Sequence, residues 1–400
     1  MRYIRYLKPP RITNAQKPAQ AQISFLTTIT SDLGDSFLPY DLALTVYLCN
    51  AREPHKNIYI QHDVQWTAGM RALSTSFYLS KARSNIEWPC RIYVGVKNME
   101  LLSPNYTQMY MPERRGVIGA WSAPLDMTEG LVEAARIVER RIPLGKNGYE
   151  LKIWEETGES IARHLWDAGV LLSLYLSEDE DLSKRDPVLA KAIKRPTGKK
   201  RLQILELGTG CGVVGITLAQ TIVKCECVLT DLPDAEEAVK RNLSTSWADT
   251  GSGVWFRQLD WDDESVPKMS DLNNWTDCPH CNEFDLIVAA DCTYNADSCP
   301  ALVRTISRLV KLSPRATVMI AMKPRHSSEG IFFDLMSDAG FRTEHKTTLQ
   351  LPGDDEVGEE SVEIFLFRPD ASQELTSIEP NEWCFGIPVK RKKRKAQVIE

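Results

Sequence analysis

The chain has 400 residues, of which 43% are hydrophobic and 26% are charged, and this length predicts two domains or one large domain with an extension. Its net charge is −6, yet the run Lys390–Lys395 carries six consecutive cations, so the remaining residues sum to −12. An acidic body disfavours a general nucleic-acid-binding protein. No apolar run approaches the ~18 residues of a membrane span, which excludes a membrane-spanning helix. The ten cysteines follow no disulfide framework spacing, which predicts a reducing compartment.

Residues 1–130 show short strand patterns, among them Leu42–Leu48 and Arg91–Val96, and a helix is expected near 65–80. No motif with recognisable chemistry occurs there, so we predict a mixed α+β extension of unknown role. The first 31 residues contain five basic residues and no acid. Because Pro9 and Pro10 would interrupt the amphipathic helix of a transit peptide, this pattern disfavours mitochondrial import.

A second domain is expected over residues 131–370, followed by a polar tail at 371–400. It opens with a hairpin near 136–155 and a helix over 160–176. Strand and helix patterns then alternate, which is typical of a doubly wound parallel sheet. The strands are expected at 203–207, 226–230, 254–259, 284–290 and 316–322, and the helices at 212–223, 234–246, 299–312 and 328–339. A final hairpin of strands at 342–350 and 361–367 completes an α/β fold with a Rossmann-like seven-stranded sheet.

A glycine-rich turn follows the first strand of this sheet, and the second strand ends in an acid, Asp231. The glycines of the turn are Gly208, Gly210 and Gly212. They allow the backbone to turn sharply and approach a ligand closely, while Asp231 can bind two ribose hydroxyls. The spacing G-x-G-x-G lacks the third glycine of the dinucleotide fingerprint, and Glu206 precedes the turn. Both features favour a nucleoside cofactor without a pyrophosphate, and S-adenosylmethionine is the predicted one.

Several segments between residues 150 and 368 carry a further resemblance. They are Leu165-Trp-Asp-Ala-Gly169, Glu206-Leu-Gly-Thr-Gly-Cys-Gly-Val-Val-Gly-Ile216, Leu229-Thr-Asp-Leu-Pro233, Leu259-Asp-Trp261 and Ala290-Asp-Cys-Thr-Tyr294. Together they resemble methyltransferase family 16, the seven-β-strand protein lysine methyltransferases. The most specific element is Asp291-x-x-Tyr294 after the fourth strand. The resemblance implies a class I fold, S-adenosylmethionine as cofactor and a lysine of a protein as methyl acceptor.

The resemblance also implies residue roles on the cofactor side. The backbone of the glycine turn would approach the methionine and ribose portions, with Glu206 near the ammonium end. Trp166 would close over the cofactor, while Asp260 and Trp261 would contact the adenine. The alternative for both tryptophans is simple core packing.

The implied catalytic residues are Asp291 and Tyr294. Asp291 would hold the last protons of the substrate amine or orient it, and Tyr294 would offer its ring face or hydroxyl to the cation. The alternative for Asp291 is an N-cap of the following helix.

Other function classes stay open. A nucleic-acid N-methyltransferase would place an Asn/Asp-Pro-Pro-aromatic motif after the fourth strand, but Asp291-Cys-Thr-Tyr294 contains no proline. A small-molecule N-methyltransferase, or a non-catalytic nuclear interaction protein that retains the fold, are the remaining alternatives.

Two segments outside this pattern bear on metals and localisation. Cys278-Pro-His-Cys281 has the spacing of half a zinc site without a second pair nearby, so no metal is predicted. The run Lys390–Lys395 fits an import receptor or an acidic partner, with a solvated tail as the alternative. The predicted localisation is nuclear, cytoplasmic or both.

Overall fold

The structure is a computed structural model, and it describes residues 1–54, 57–97, 106–144, 149–156, 163–177, 179–194, 201–245, 250–263, 283–353 and 360–370. These residues form two N-terminal sheets of four and six strands and a C-terminal sheet of seven strands. The segment Cys278–Cys281 and the run Lys390–Lys395 lie outside the described residues.

The N-terminal region is built from strands that pair mainly in antiparallel fashion. They are β1 (Arg2–Thr13), β2 (Gln22–Thr30), β3 (Leu42–Asn50), β4 (Ile58–Trp66), β5 (Leu73–Tyr78), β6 (Cys90–Val96), β7 (Val117–Ile118), β8 (Ala120–Ser122), β9 (Ile137–Leu144) and β10 (Tyr149–Glu156). Their order is β5-β2-β1-β7 in one sheet and β10-β9-β8-β6-β3-β4 in the other. A shared apolar core that includes Ile23, Trp66 and Ile92 joins the two sheets.

The helix expected near residues 65–80 is wrong, because β4 ends at Trp66 and β5 covers Leu73–Tyr78. Along β5 the side chains of Thr75 and Phe77 are buried and alternate with exposed ones, which is the period of a strand. The α+β mixture expected for residues 1–130 is therefore corrected to a β-domain. Its one α-helix within the described residues is the single turn α1 (Tyr106–Met109).

The predicted hairpin near 136–155 is confirmed as β9 and β10, which pair in continuous register from Ile137 with Glu156 to Leu144 with Tyr149. Its turn, residues 145–148, lies outside the described residues. Because β9 also pairs with β8, the hairpin extends the N-terminal sheet, although the expected domain boundary at 130–131 assigned it to the second domain.

The C-terminal sheet confirms the predicted Rossmann-like seven-stranded fold with its terminal hairpin. The strands are β11 (Leu202–Leu207), β12 (Cys225–Asp231), β13 (Gly253–Gln258), β14 (Leu286–Ala290), β15 (Thr317–Met322), β16 (Phe341–Gln350) and β17 (Ser361–Pro369). Their order is β13-β12-β11-β14-β15-β17-β16. Neighbours from β13 to β15 are parallel, and β17 pairs antiparallel with both β15 and β16.

Helices cover both faces of this sheet. They are α2 (Asp167–Leu176), α3 (Asp179–Arg185), α4 (Pro187–Ala192), α5 (Val213–Thr221), α6 (Glu236–Thr245), α7 (Cys299–Leu312) and α8 (Ile331–Asp338). Successive residues of β11 face opposite layers: Ile204 belongs to the buried cluster of α2 and α5, and Leu205 to that of α7 and α8. Burial on both faces explains the nearly continuous apolar runs of these strands.

The β-domain packs directly on the C-terminal domain. Tyr3 of β1 and Ile118 of β7 lie in the same buried cluster as α2, whose ten residues are all buried. The Asn242 side chain of α6 exchanges hydrogen bonds with the backbone of Trp154 in β10. None of the helices in the described part of the chain is long and apolar enough to cross a membrane.

Candidate functional site

A cavity of about 530 Å³ opens where β11, β12 and β14 end. β11 has β12 on one side and β14 on the other, so the cavity lies at the topological switch point where doubly wound sheets bind ligands. Nine of the ten predicted site residues line it: Trp166, Glu206, Gly208, Gly210, Asp231, Asp260, Trp261, Asp291 and Tyr294. The tenth, Gly212, is the N-cap of α5 with a φ of 84°.

The glycine turn is shaped by close packing at Gly208, whose φ is +62°. A Cβ on this residue would lie 2.6 Å from the Sγ of Cys292 and 3.2 Å from Cζ2 of Trp261. No L side chain fits this position without displacing the neighbouring groups. The Trp261 ring therefore packs against the turn and also forms a wall of the cavity. Trp261 has a packing role and faces the cavity at the same time.

Asp231 ends β12 with its carboxylate turned toward the glycine turn. The backbone N–H groups of Gly210 and Leu232 each donate to one carboxylate oxygen at 2.7 Å. Burial raises the pKa of Asp231, and these two donors oppose that shift. Because a carboxylate offers about four acceptor positions, both oxygens can still accept from a ligand. Asp260, farther out on the cavity rim, is exposed.

Glu206 is buried near the end of β11 and stabilises the glycine turn through hydrogen bonds. Its Oε2 accepts hydrogen bonds from the Thr209 hydroxyl at 2.6 Å and from the Gly215 N–H at 3.0 Å. Burial raises the pKa of Glu206 to about 8, despite these donors. The side chain thus ties the turn to α5 in addition to lining the cavity.

We expect Glu206→Gln to flatten the pH dependence of stability. The folded-state pKa lies above the ordinary value of 4.5, so the folded protein holds a proton that the unfolded chain loses as pH rises between these values. The stability present at low pH is lost toward pH 8, by about 1.4 kcal/mol per pH unit at most. Denaturant unfolding at pH 5.5 and 7.5 measures this slope in the wild type and the variant. Glu237→Gln, an exposed position on α6, is the control, and an unchanged slope in Glu206→Gln would contradict the shift.

Asp291 follows β14 with a φ of +58°, a left-handed conformation uncommon outside glycine. Its N–H donates to the Ala321 carbonyl at 2.8 Å. The two Nη atoms of Arg325 donate to its two carboxylate oxygens at 2.7 and 2.8 Å. Burial raises the pKa of Asp291, and the pair with Arg325 opposes this. Because α7 begins at Cys299 after its N-cap Ser298, Asp291 does not cap that helix.

Tyr294 and Trp166 face each other across the mouth of the cavity. Their rings are nearly parallel, with 7° between the planes and 6.5 Å between the centroids. Tyr294 is 53% exposed, and Trp166 is the half-buried N-cap residue of α2. The guanidinium carbon of Arg325 lies 5.7 Å from the centre of the Trp166 ring. Trp166 is therefore a cavity-facing residue.

The residues behind Asp291 were missed by sequence reasoning. Lys323 and Arg325 follow β15, and they pair with Asp167 at the start of α2 and with Asp32 in the β-domain. The signal available in the sequence for Lys323 and Arg325 was their position directly after a buried apolar strand. Asp167 lies within the segment Leu165–Gly169, whose sequence did not indicate an ion pair. No sequence pattern around Asp32 indicated its role, because its contacts join residues nearly 300 positions apart.

The described residues contain no group of three or more His, Cys, Asp or Glu side chains placed to hold a metal ion. The groups that line this cavity are instead backbone N–H donors, single carboxylate acceptors and aromatic faces. Such a set suits an organic ligand with ribose hydroxyls and a cationic group.

Comparison with known proteins identifies the C-terminal domain. Residues 145–339 match the family model described as lysine methyltransferase. A UPF0665 family protein of Schizosaccharomyces pombe is 27% identical over 314 residues, covering 76% of this chain and 84% of that protein. The protein-lysine N-methyltransferase EFM6 of Saccharomyces cerevisiae is 29% identical over 191 residues, with 46% of this chain and 73% of that protein covered. EEF1A lysine methyltransferase 3 of Xenopus tropicalis is 27% identical over 195 residues, with 47% and 71% covered. The resemblance found in the sequence is confirmed for this part of the chain: residues 145–339 match the lysine methyltransferase family.

Proposed function

We propose that this protein transfers a methyl group from S-adenosylmethionine to a lysine side chain of a protein substrate. The observation that carries the proposal is the placement of Asp291 and Tyr294 on the same cavity as the glycine turn and Asp231. One side of the cavity thus has the features of a nucleoside site, and the other has a carboxylate and an aromatic face for a cation.

The residues of the cavity fit S-adenosylmethionine. Gly208 lets the backbone of the turn pack directly against Trp261 at the cavity wall, and Asp231 has acceptor capacity for the ribose hydroxyls. Asp260 and Trp261, after β13, would contact the adenine, and Glu206 would lie near the ammonium end. When bound, the cofactor supplies a methyl group already activated by a sulfonium. This chemistry needs no metal ion.

On the acceptor side, the protein must align a lysine amine and favour its neutral form. The ordinary lysine pKa is about 10.4, and burial of an amine lowers it. The parallel faces of Trp166 and Tyr294 can receive the cationic side chain. Asp291 is fixed by Arg325 and by the Lys323 N–H, yet its Oδ2 retains an acceptor position for an amine proton. These groups orient the amine and remove water from it before transfer.

The protein nature of the substrate rests on the relatives. EFM6 is named as a protein-lysine N-methyltransferase, and the Xenopus relative is named for EEF1A. For this chain we propose a protein substrate of unspecified identity.

The test incubates the full chain with methyl-labelled S-adenosylmethionine and a cell extract, then hydrolyses the labelled protein to amino acids. We expect the label in methylated lysine, and about 100-fold less of it with Asp291→Ala. Label recovered in nucleic acid or in small molecules would replace this proposal by one of the other methyltransferase classes. The absence of cofactor binding by calorimetry would favour a non-catalytic protein.

For the basic run Lys390–Lys395 we propose recognition by an import receptor, giving nuclear enrichment, because six clustered cations contrast with an acidic body. Imaging a chain truncated after Val389 tests this, and we expect the truncated protein to lose nuclear enrichment. Identical distributions of the two proteins would leave this run as a solvated tail or as a docking patch for an acidic partner.

A further inference from the structure

Asp32 reaches from the β-domain to the back of the methyl-transfer site. It follows β2, and only 3% of its surface is exposed. Its Oδ2 accepts from the Nη2 of Arg325 at 2.7 Å, and its Oδ1 lies 3.4 Å from the Nζ of Lys323. Asp32 is separate from the cavity lining, so it touches the site through other residues.

The Nη2 of Arg325 is shared between two carboxylates. It donates to Asp32 at 2.7 Å and to Asp291 at 2.8 Å, while Nη1 donates to the second oxygen of Asp291. The guanidinium therefore sits between one anchor from the β-domain and one group at the cavity wall. A planar fork held at both sides has little freedom to rotate.

Asp32 also holds the start of α2. Its Oδ2 accepts from the N–H of Asp167 at 3.3 Å, and an anion at this end of a helix is favoured by the helix dipole. Trp166, the N-cap of α2, faces the cavity one residue earlier. One carboxylate thus contacts two of the segments that position the acceptor side of the cavity.

The loop that presents Asp32 is itself fixed. Arg5 of β1 donates to the Asp32 carbonyl at 2.8 Å, and the Leu38 N–H returns to the Ile29 carbonyl at 2.9 Å. Burial opposes ionisation of Asp32, but Lys323 and Arg325 together lower its pKa. Asp32 is therefore a charged anchor on a braced loop.

We propose that Asp32 is a positioning residue for methyl transfer: it fixes Arg325, which in turn fixes Asp291 at the cavity wall. The β-domain is then an integral part of the catalytic unit in addition to any contact it makes with a substrate. This inference rests on the proposed function, because it concerns the same cavity.

A double-mutant cycle tests the coupling, with turnover measured at saturating S-adenosylmethionine on the labelled protein substrate. We expect Asp32→Ala to lower turnover about tenfold, because a misplacement of a catalytic group by about 1 Å can cost up to about 100-fold. In an Asp291→Ala background the same change should lower residual turnover less than about twofold, because the residue through which Asp32 acts is gone. Equal losses in both backgrounds would assign Asp32 a purely structural role and overturn the proposal.

Two single variants refine the cycle. Asp32→Asn keeps an oxygen acceptor for Arg325 and should retain more turnover than Asp32→Ala. Asp35→Asn makes the same change on an exposed residue of the same loop and should keep wild-type turnover.

A second measurement is independent of any substrate. The carboxyl carbon of Asp291 is followed by NMR during a pH titration and assigned by its loss in Asp291→Asn. The charged groups that face Asp291 are Arg325, which lowers its pKa, and Asp32, which raises it. Asp32→Asn should therefore lower the pKa of Asp291, whereas Asp35→Asn should leave the pKa of Asp291 unchanged. An unchanged pKa in Asp32→Asn would contradict the coupling. If the coupling is present but the wild type methylates no lysine, the proposed function fails while the link between Asp32 and Asp291 stands.

Discussion

Replacing Asp291 with alanine is expected to lower turnover about 100-fold or more while changing the affinity for S-adenosylmethionine only a few-fold. The carboxylate lies at the end of β14, paired with Arg325, whereas Asp231 at the end of β12 lies beside the glycine turn, where we propose that the ribose binds. Alignment and desolvation of the amine act on the transition state, and ribose contacts act equally before and during transfer. Turnover on an identified protein and calorimetry with S-adenosylmethionine separate the two quantities.

Two control variants test whether the loss is specific to the Asp291 carboxylate and what the Tyr294 hydroxyl contributes. Asp297→Ala removes an exposed carboxylate six residues along the same segment and should keep wild-type turnover. Tyr294→Phe keeps the ring that faces Trp166 and removes only the hydroxyl, so its turnover should fall less than that of Asp291→Ala. Full turnover in Asp291→Ala, with the fold intact, would leave the carboxylate with a structural role in the strained turn after β14.

The sequence predicted the C-terminal sheet closely, because its strands are buried on both faces and helices such as α7 carry a clear apolar period. The predicted strand at 316–322 is β15, Thr317–Met322, and the predicted helix at 299–312 is α7, Cys299–Leu312. The β-domain was harder to predict from the sequence. Some of its strands are half-exposed and polar on one face, as Leu73–Tyr78 shows, and a short alternating run is easily read as a turn of helix.

The cofactor side of the site was predictable for a similar reason: its groups lie in one continuous motif and at strand ends. Asp231 and Asp291 follow strands whose order brings their carboxyl ends to one edge. The ion pairs behind Asp291 depend on a tertiary contact between Asp32 and Arg325. No spacing of residues in the sequence indicates that these two side chains are close in space. Local motifs therefore identified the cavity, and only the fold showed which residues hold it in place.

Replacing Asp231 with alanine is expected to weaken the binding of S-adenosylmethionine by about 10- to 100-fold. The change removes charge-assisted hydrogen bonds to the ribose hydroxyls, worth about 1.5–3 kcal/mol. It also removes the acceptor for the Gly210 N–H at 2.7 Å, so the glycine turn loses a restraint on its shape. Isothermal calorimetry of the folded variant measures the loss.

Asp334→Ala, on the exposed side of α8, is the matched control and should bind the cofactor as the wild type does. Because Asp231 and Asp291 lie on opposite sides of β11 in the sheet, their variants should fail in different ways, one in affinity and the other in turnover. At saturating cofactor, Asp231→Ala should therefore recover much of its rate, since ribose contacts contribute to both the ground state and the transition state. Equal cofactor affinity in the wild type and Asp231→Ala, or preferential binding of a nicotinamide dinucleotide, would refute the assignment of this strand end to the ribose of S-adenosylmethionine.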